Sequence, residues 1–158
     1  MKIIGLLETD LVNYKKPCMV VEFPKCDFKC DRECGKRVCQ NWALSNYSSK
    51  DIAIEDIINR YLNNPLTSAI VCQGLEPFDT YNDLTEFLDA FRKASTDDIV
   101  IFTGYKKEEI QHKFPDFFGR YSNIIIKFGR FVPDCEAHYD PILGIELASP
   151  NQYGEKIG

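Results

Sequence analysis

Four cysteines, Cys26, Cys30, Cys34 and Cys39, fall within one short segment of a 158-residue chain that has seven in all. Thiolate sulfur is a soft donor, and four such donors on one loop are enough for a zinc ion or a four-iron cluster. Zinc knots favour two-residue gaps between paired thiols, which make a tight knuckle. Here three residues, Asp27, Phe28 and Lys29, separate the first pair, and no histidine stands in the segment. An iron–sulfur cluster is therefore the better fit. Dense cysteines also build disulfide frameworks, but those serve small secreted chains with poor cores and an even cysteine count. An odd count in a chain that is 44% hydrophobic and 13% aromatic meets neither condition.

A loop of this kind needs elements to hold it. Cys18-Met19-Val20-Val21-Glu22-Phe23 reads as a short strand and residues 2–7 as an earlier one, so the cysteine segment begins where a strand ends. Residues 24–46 have no sustained period and carry Asp, Lys, Arg and Gly throughout, which predicts an ordered loop shaped by what it binds. Ile54, Ile57, Ile58, Tyr61 and Leu62 recur at helical spacing after a cap at Ser49 or Asp51, and Asn63-Asn64-Pro65 stops that helix. Ser68-Ala69-Ile70-Val71-Cys72 is an apolar run of the buried parallel-strand kind. Leu84, Phe87, Leu88 and Phe91 mark a helix over 80–93, Asp98-Ile99-Val100-Ile101-Phe102 is another strand, residues 107–112 form a weaker helix, and Asn123-Ile124-Ile125-Ile126-Lys127-Phe128 is a further strand.

This alternation predicts an α/β fold with a parallel sheet and right-handed crossovers. Ligands of such sheets and barrels sit beyond the carboxyl ends of the strands. Four loops are thereby brought together: 24–46, 73–78, 103–105 and 129–133. From residue 132 the chain turns irregular, with Pro133, Asp140-Pro141, Gly144, Pro150 and Gly154, and reads as a tail packed on one domain spanning 1–158. The 19 basic and 24 acidic residues give a net charge of -5 with no basic run beyond pairs such as Lys15-Lys16, which argues against direct nucleic-acid binding. The apolar start meets Glu8 and Asp10 too soon for a signal-peptide core or a membrane span, so a cytoplasmic protein is expected.

Cys26, Phe28, Cys30 and Cys39-Gln40-Asn41 together carry a resemblance. So do Gly74-Leu75-Glu76-Pro77, Thr103-Gly104-Tyr105 at a strand end, Lys127-Phe128-Gly129-Arg130-Phe131, and Ser149-Pro150-Asn151-Gln152 in the tail. In this order they resemble the activating enzymes of anaerobic ribonucleotide reductases, small members of the radical S-adenosylmethionine (radical SAM) family. The resemblance implies an incomplete, open parallel β/α barrel. It further implies a [4Fe-4S] cluster on Cys26, Cys30 and Cys39 with one iron open to SAM, whose reductive cleavage by an external one-electron donor yields a 5′-deoxyadenosyl radical. That radical would take a hydrogen from a glycine of the large reductase subunit. Gln73, Gly74, Leu75, Glu76 and Pro77 would lie near the methionine moiety, with Phe28, Asn41, Thr103, Gly104 and Tyr105 completing the cofactor site.

The sequence departs from that family's pattern in three places. Eight residues separate Cys30 from Cys39 where the family has two, and Cys34 lies among them. The third ligand is thus Cys39 or Cys34; Gln40-Asn41 favour Cys39, and Cys34 stands as the alternative third or fourth ligand. Leu75 replaces the family's second glycine, adding bulk and restricting the backbone. Lys127 and Arg130 replace aspartate and proline. Another small radical SAM reaction, or a non-catalytic four-cysteine iron–sulfur or zinc protein on the same fold, remains as the alternative. His112 and His138 read as surface histidines, and Cys18 and Cys72 as small core residues.

Overall fold

The computed structural model describes residues 1–158. In chain order the elements are β1 (Lys2–Ile3), β2 (Gly5–Asp10), β3 (Cys18–Phe23), α1 (Lys29–Cys34), a 3-10 turn (Trp42–Asn46), β4 (Lys50–Asp51), α2 (Ile54–Leu62), β5 (Ala69–Gly74), a 3-10 turn (Pro77–Thr80) and α3 (Tyr81–Ala94). They continue with β6 (Asp98–Phe102), α4 (Lys107–Lys113), α5 (Phe117–Arg120), β7 (Ile124–Phe128), β8 (His138–Asp140), β9 (Ile145–Leu147) and β10 (Tyr153–Ile157). No helix is long and apolar enough to cross a membrane.

Six strands form one open sheet in the order β10-β7-β6-β5-β3-β2. The inner four, β3, β5, β6 and β7, are parallel, and β2 and β10 join the two edges antiparallel. The parallel strands read as continuous apolar runs because both of their faces are covered. On one face Met19, Val21, Phe23, Ile70, Cys72, Ile99 and Ile101 pack with Ile57 and Tyr61 of α2, Leu84, Phe87 and Phe91 of α3, and Phe117 of α5. On the other, Cys18, Val20, Val71, Val100 and Ile125 meet Tyr14, Leu143 and Leu147. Cys18 and Cys72 are fully buried core residues, as their positions in apolar strands predict.

Within the tail, residues 132–137 carry no strand or helix, but 138–157 form a hairpin and an edge strand. Asp140 turns the β8–β9 hairpin, its carboxylate accepting from the N–H groups of Ile142, Leu143 and Gly154, and Gly144 takes a φ of +71° in that turn. Pro141 and Gly144 are therefore turn residues of a hairpin. β10 then pairs with β7 from Tyr153↔Phe128 to Ile157↔Ile124. The expected cap of α2 also differs. Its N-cap is Ala53, with no side-chain bond, because Asp51 lies in β4 and pairs with Lys2 at 2.9 Å. Asn63 ends the helix as predicted.

Candidate metal centre

The carboxyl ends of the four parallel strands are Phe23, Gly74, Phe102 and Phe128, and the turns leaving them enclose a cleft of about 650 Å³. Cys26, Cys30 and Cys39 line it from the first turn, Gln73 and Gly74 from the end of β5 with Leu75 and Glu76 from the turn after it, Thr103 and Gly104 from the third turn, and Lys127 from the end of β7 with Gly129 and Phe131 from the turn after it. Asn41 also lines the cleft; Phe28, Pro77, Tyr105 and Cys34 do not. The β8–β9 hairpin contributes a further wall through Ile145, Glu146 and Leu147.

The cysteine loop is more ordered than its lack of period implies. Phe28 adopts a left-handed conformation (φ 52°, ψ 46°), which reverses the chain into α1 and aims its N–H at Cys26 Sγ, 3.2 Å away. Gly35, at φ +69°, ends α1. Asp31 then gathers the far side of the loop: Oδ1 accepts from the N–H groups of Val38 (2.7 Å) and Cys39 (2.8 Å), and Oδ2 from the indole N–H of Trp42 (2.6 Å). Burial pushes the Asp31 carboxyl up, and these three donors outweigh it and hold the group below the usual range. Trp42 stacks on Phe28 with ring centres 4.3 Å apart, and the Arg37 guanidinium lies 4.1 Å from the Trp42 ring. From the other side Asn41 Nδ2 donates to the carbonyl of Gly74 at 2.9 Å.

Two of the three cleft thiols have a backbone N–H directed at sulfur: Phe28 to Cys26 at 3.2 Å and Asn41 to Cys39 at 3.4 Å. Burial pushes all three thiols up, Cys26 to about 12, so the unloaded loop holds neutral thiols that must lose protons to bind metal. No three of the loop's thiols lie within 4.8 Å of one another. Four ligands around one zinc with bonds of about 2.3 Å would sit closer than that. The N–H groups at Cys26 and Cys39 are of the kind to which the properties of an iron–sulfur cluster respond. The one tighter group, Cys26 with Asp27 and Asp79, already has its cation in Lys29.

Lys29 and Glu76 were invisible as partners in the sequence. Lys29 is 2% exposed; its Nζ lies 2.9 Å from Asp27, 3.6 Å from Glu76 and 3.8 Å from Asp79, and 4.0 Å from the centre of the Tyr105 ring. Glu76, 1% exposed, accepts from Thr103 Oγ1 (2.8 Å), the Gly104 N–H (2.9 Å) and the Phe78 N–H (3.2 Å). Burial raises its carboxyl, and Lys29 opposes that most strongly. Gly74 needs its missing side chain: φ is +101°, and a Cβ would stand 2.7 Å from the Phe23 nitrogen. Tyr105 donates to Asp79 at 2.6 Å, and Pro77 is buried at the start of its 3-10 turn, so both support the rim from behind.

The departures at the fourth turn also have places. Lys127 faces the cleft with Nζ donating to the Gly129 carbonyl at 3.1 Å, and burial depresses it to about 8. Arg130 is buried, donating to the Gly104 carbonyl at 2.7 Å and to both oxygens of Glu109, and pairing with Glu33 at 2.8 Å. The tail grips this turn: Asn151 Nδ2 donates to the Arg130 carbonyl (2.9 Å) and Gln152 Nε2 to that of Gly129 (3.4 Å). His138, expected at the surface, is half-buried with Nε2 between the carbonyls of Ser149 and Gln152.

A thiol-lined cleft at the carboxyl ends of a parallel sheet defines an iron–sulfur protein of the α/β class. The sequence matches the 4Fe-4S single cluster domain over residues 18–143, and the chain belongs to that family. No curated protein and no solved structure matches it.

Proposed function

We propose that the protein is a radical SAM enzyme that generates a glycyl radical on an anaerobic ribonucleotide reductase. The observation that carries the reading is the donor set: three thiols enter the cleft, two of them with a backbone N–H directed at sulfur, while Cys34, the last residue of α1, stays out of it. Cys26, Cys30 and Cys39 would hold the cluster and leave one iron without a protein thiolate. When bound, a [4Fe-4S] cluster of this kind supplies the electron that cleaves SAM, replenished by an external donor.

The chain's own residues would do the rest. Gln73 to Glu76 form the rim beside the thiols, and Glu76 holds the Thr103-Gly104 turn against that rim. Lys127 offers the cleft a cation for the carboxylate of an amino-acid moiety. The open sheet is read as the incomplete barrel of small radical SAM enzymes, its cleft left accessible to a glycine-bearing loop of the large subunit. Leu75 narrows the methionine end, and the protein meets SAM there with an apolar wall where the resembling family has a glycine.

The test is anaerobic reconstitution with iron and sulfide, followed by SAM, a reductant and a cognate reductase subunit. Release of 5′-deoxyadenosine and methionine together with a glycyl-radical resonance supports the reading. A reduced cluster whose spectrum ignores SAM would transfer the protein to the non-catalytic class.

A further inference from the structure

We propose that Asp31 is a positioning residue that selects Cys39 over Cys34 as the third cluster thiolate. The inference rests on the cluster-binding reading of the cleft and is independent of SAM chemistry. Cys34 follows Cys30 by one helical turn of α1, and residues four apart on a helix are neighbours. By chain distance it is therefore the readier thiol. Cys39 lies beyond Gly35, Lys36 and Arg37, which are exposed and touch the rest of the loop only where Arg37 lies over the Trp42 ring. Closing such a segment has an entropic cost that some contact must offset.

Asp31 makes that contact. One oxygen takes the N–H groups of Val38 and of Cys39 itself, and the other takes the Trp42 indole. Because Asp31 belongs to α1, the far limb of the loop is tied to the helix that carries Cys30, and Cys39 is turned into the cleft while Cys34 is left outside it. The indole bond adds a second effect: Trp42 is held flat on Phe28, the residue whose N–H supports Cys26. One carboxylate thus fixes Cys39 relative to both other thiols. Partners that orient metal ligands in this way typically govern affinity by about 10–100-fold.

The experiment is anaerobic reconstitution of the full chain, reading iron and sulfide per chain, the spectrum of the reduced cluster and the far-ultraviolet circular dichroism, in Cys34→Ala, Asp31→Ala and the double variant. Cys34→Ala should load like the wild type. Asp31→Ala should still load, with an altered spectrum, by recruiting Cys34. The double variant should then lose affinity by roughly 10-fold or more relative to either single variant. Asp31→Asn, which keeps one carbonyl for the backbone donors, should restore dependence on Cys39 and keeps the test open where Asp31→Ala fails to fold. The proposal is overturned if Cys34→Ala alone abolishes loading, if the double variant loads like the wild type, or if folded Asp31→Ala loads nothing with Cys34 present.

Discussion

Replacing Lys29 by methionine keeps an unbranched apolar stem of similar length and deletes the charge at the centre of the rim. Glu76 and Asp79 then lose their shared cation, and Glu76 is fully enclosed. Breaking a buried ion pair by removing one partner costs about 3–5 kcal/mol, because the remaining charge is left uncompensated. The variant should approach that range at pH 8. The loss should be smaller at pH 5. Burial already raises the Glu76 carboxyl above its ordinary 4.5, and without Lys29 it rises further. A carboxyl whose folded value is raised binds more protons folded than unfolded, so its contribution to stability falls as pH rises from 4.5 through the folded value. Acidification therefore relieves the variant more than the wild type. Urea unfolding of iron-depleted protein, followed by far-ultraviolet circular dichroism at both pH values, measures this. A difference below about 1 kcal/mol at pH 8, the size of an exposed pair, or a larger loss at pH 5 than at pH 8, would refute the account of Lys29 as the buried counter-ion.

Gly74→Ala forces a side chain into a left-handed site 2.7 Å from the Phe23 nitrogen, and should lower stability by at least about 1–3 kcal/mol, read as a lower melting temperature. Lys127→Met should stabilise the iron-depleted chain at neutral pH by up to about 3 kcal/mol. Its folded value near 8 lies below the ordinary 10.5, so burying the charged form is unfavourable below 8 and the gain should vanish as pH rises past 10.5. Truncation after Leu147 removes β10 and bares the edge of β7, and should convert the protein to aggregates on size-exclusion chromatography. Chelation of iron should raise amide exchange in residues 24–46 and leave the parallel strands protected, because neither apolar core draws on that segment.

The four parallel strands and the helices α2, α3 and α4 were legible because their side chains obey one period, continuous apolar for the strands and three-to-four for the helices. The tail was not, because β8 and β9 have three residues each, too few to show alternation, the five of β10 include Gly154 and two charges, and Pro141 and Gly144 carry the same signature in a hairpin turn as in a loop. At the site the thiols could be read from their type and spacing, and so could their convergence with Gln73 to Glu76 and Thr103-Gly104. Lys29 and Asp31 could not. Both lie between cysteines in a segment without period, where a charged residue reads as solvated; only the left-handed turn at Phe28 puts one inward and turns the other back on the loop. The positive φ of a phenylalanine is the signal that pattern reading lacks.

The four turns around the cleft are joined by few side chains, and most of those are ionisable. Glu76 ties the turn after β5 to the turn after β6, and Lys29 ties the cysteine loop to the first through Glu76 and Asp79 and to the second through the Tyr105 ring. Arg130 reaches from the turn after β7 to the Gly104 carbonyl, to Glu109 of α4 and to Glu33 of α1. Apolar packing is tolerant of exchange among residues of similar volume, whereas buried charges demand specific partners at specific distances. The sheet therefore supplies the floor of the site through contacts that many sequences could make, and the charges specify where each turn sits above it. The insertion between Cys30 and Cys39 follows the same division: it brings its own fastening in Asp31 and joins the rim's charges through Glu33, which pairs with Arg130, and Arg32, which pairs with Asp27.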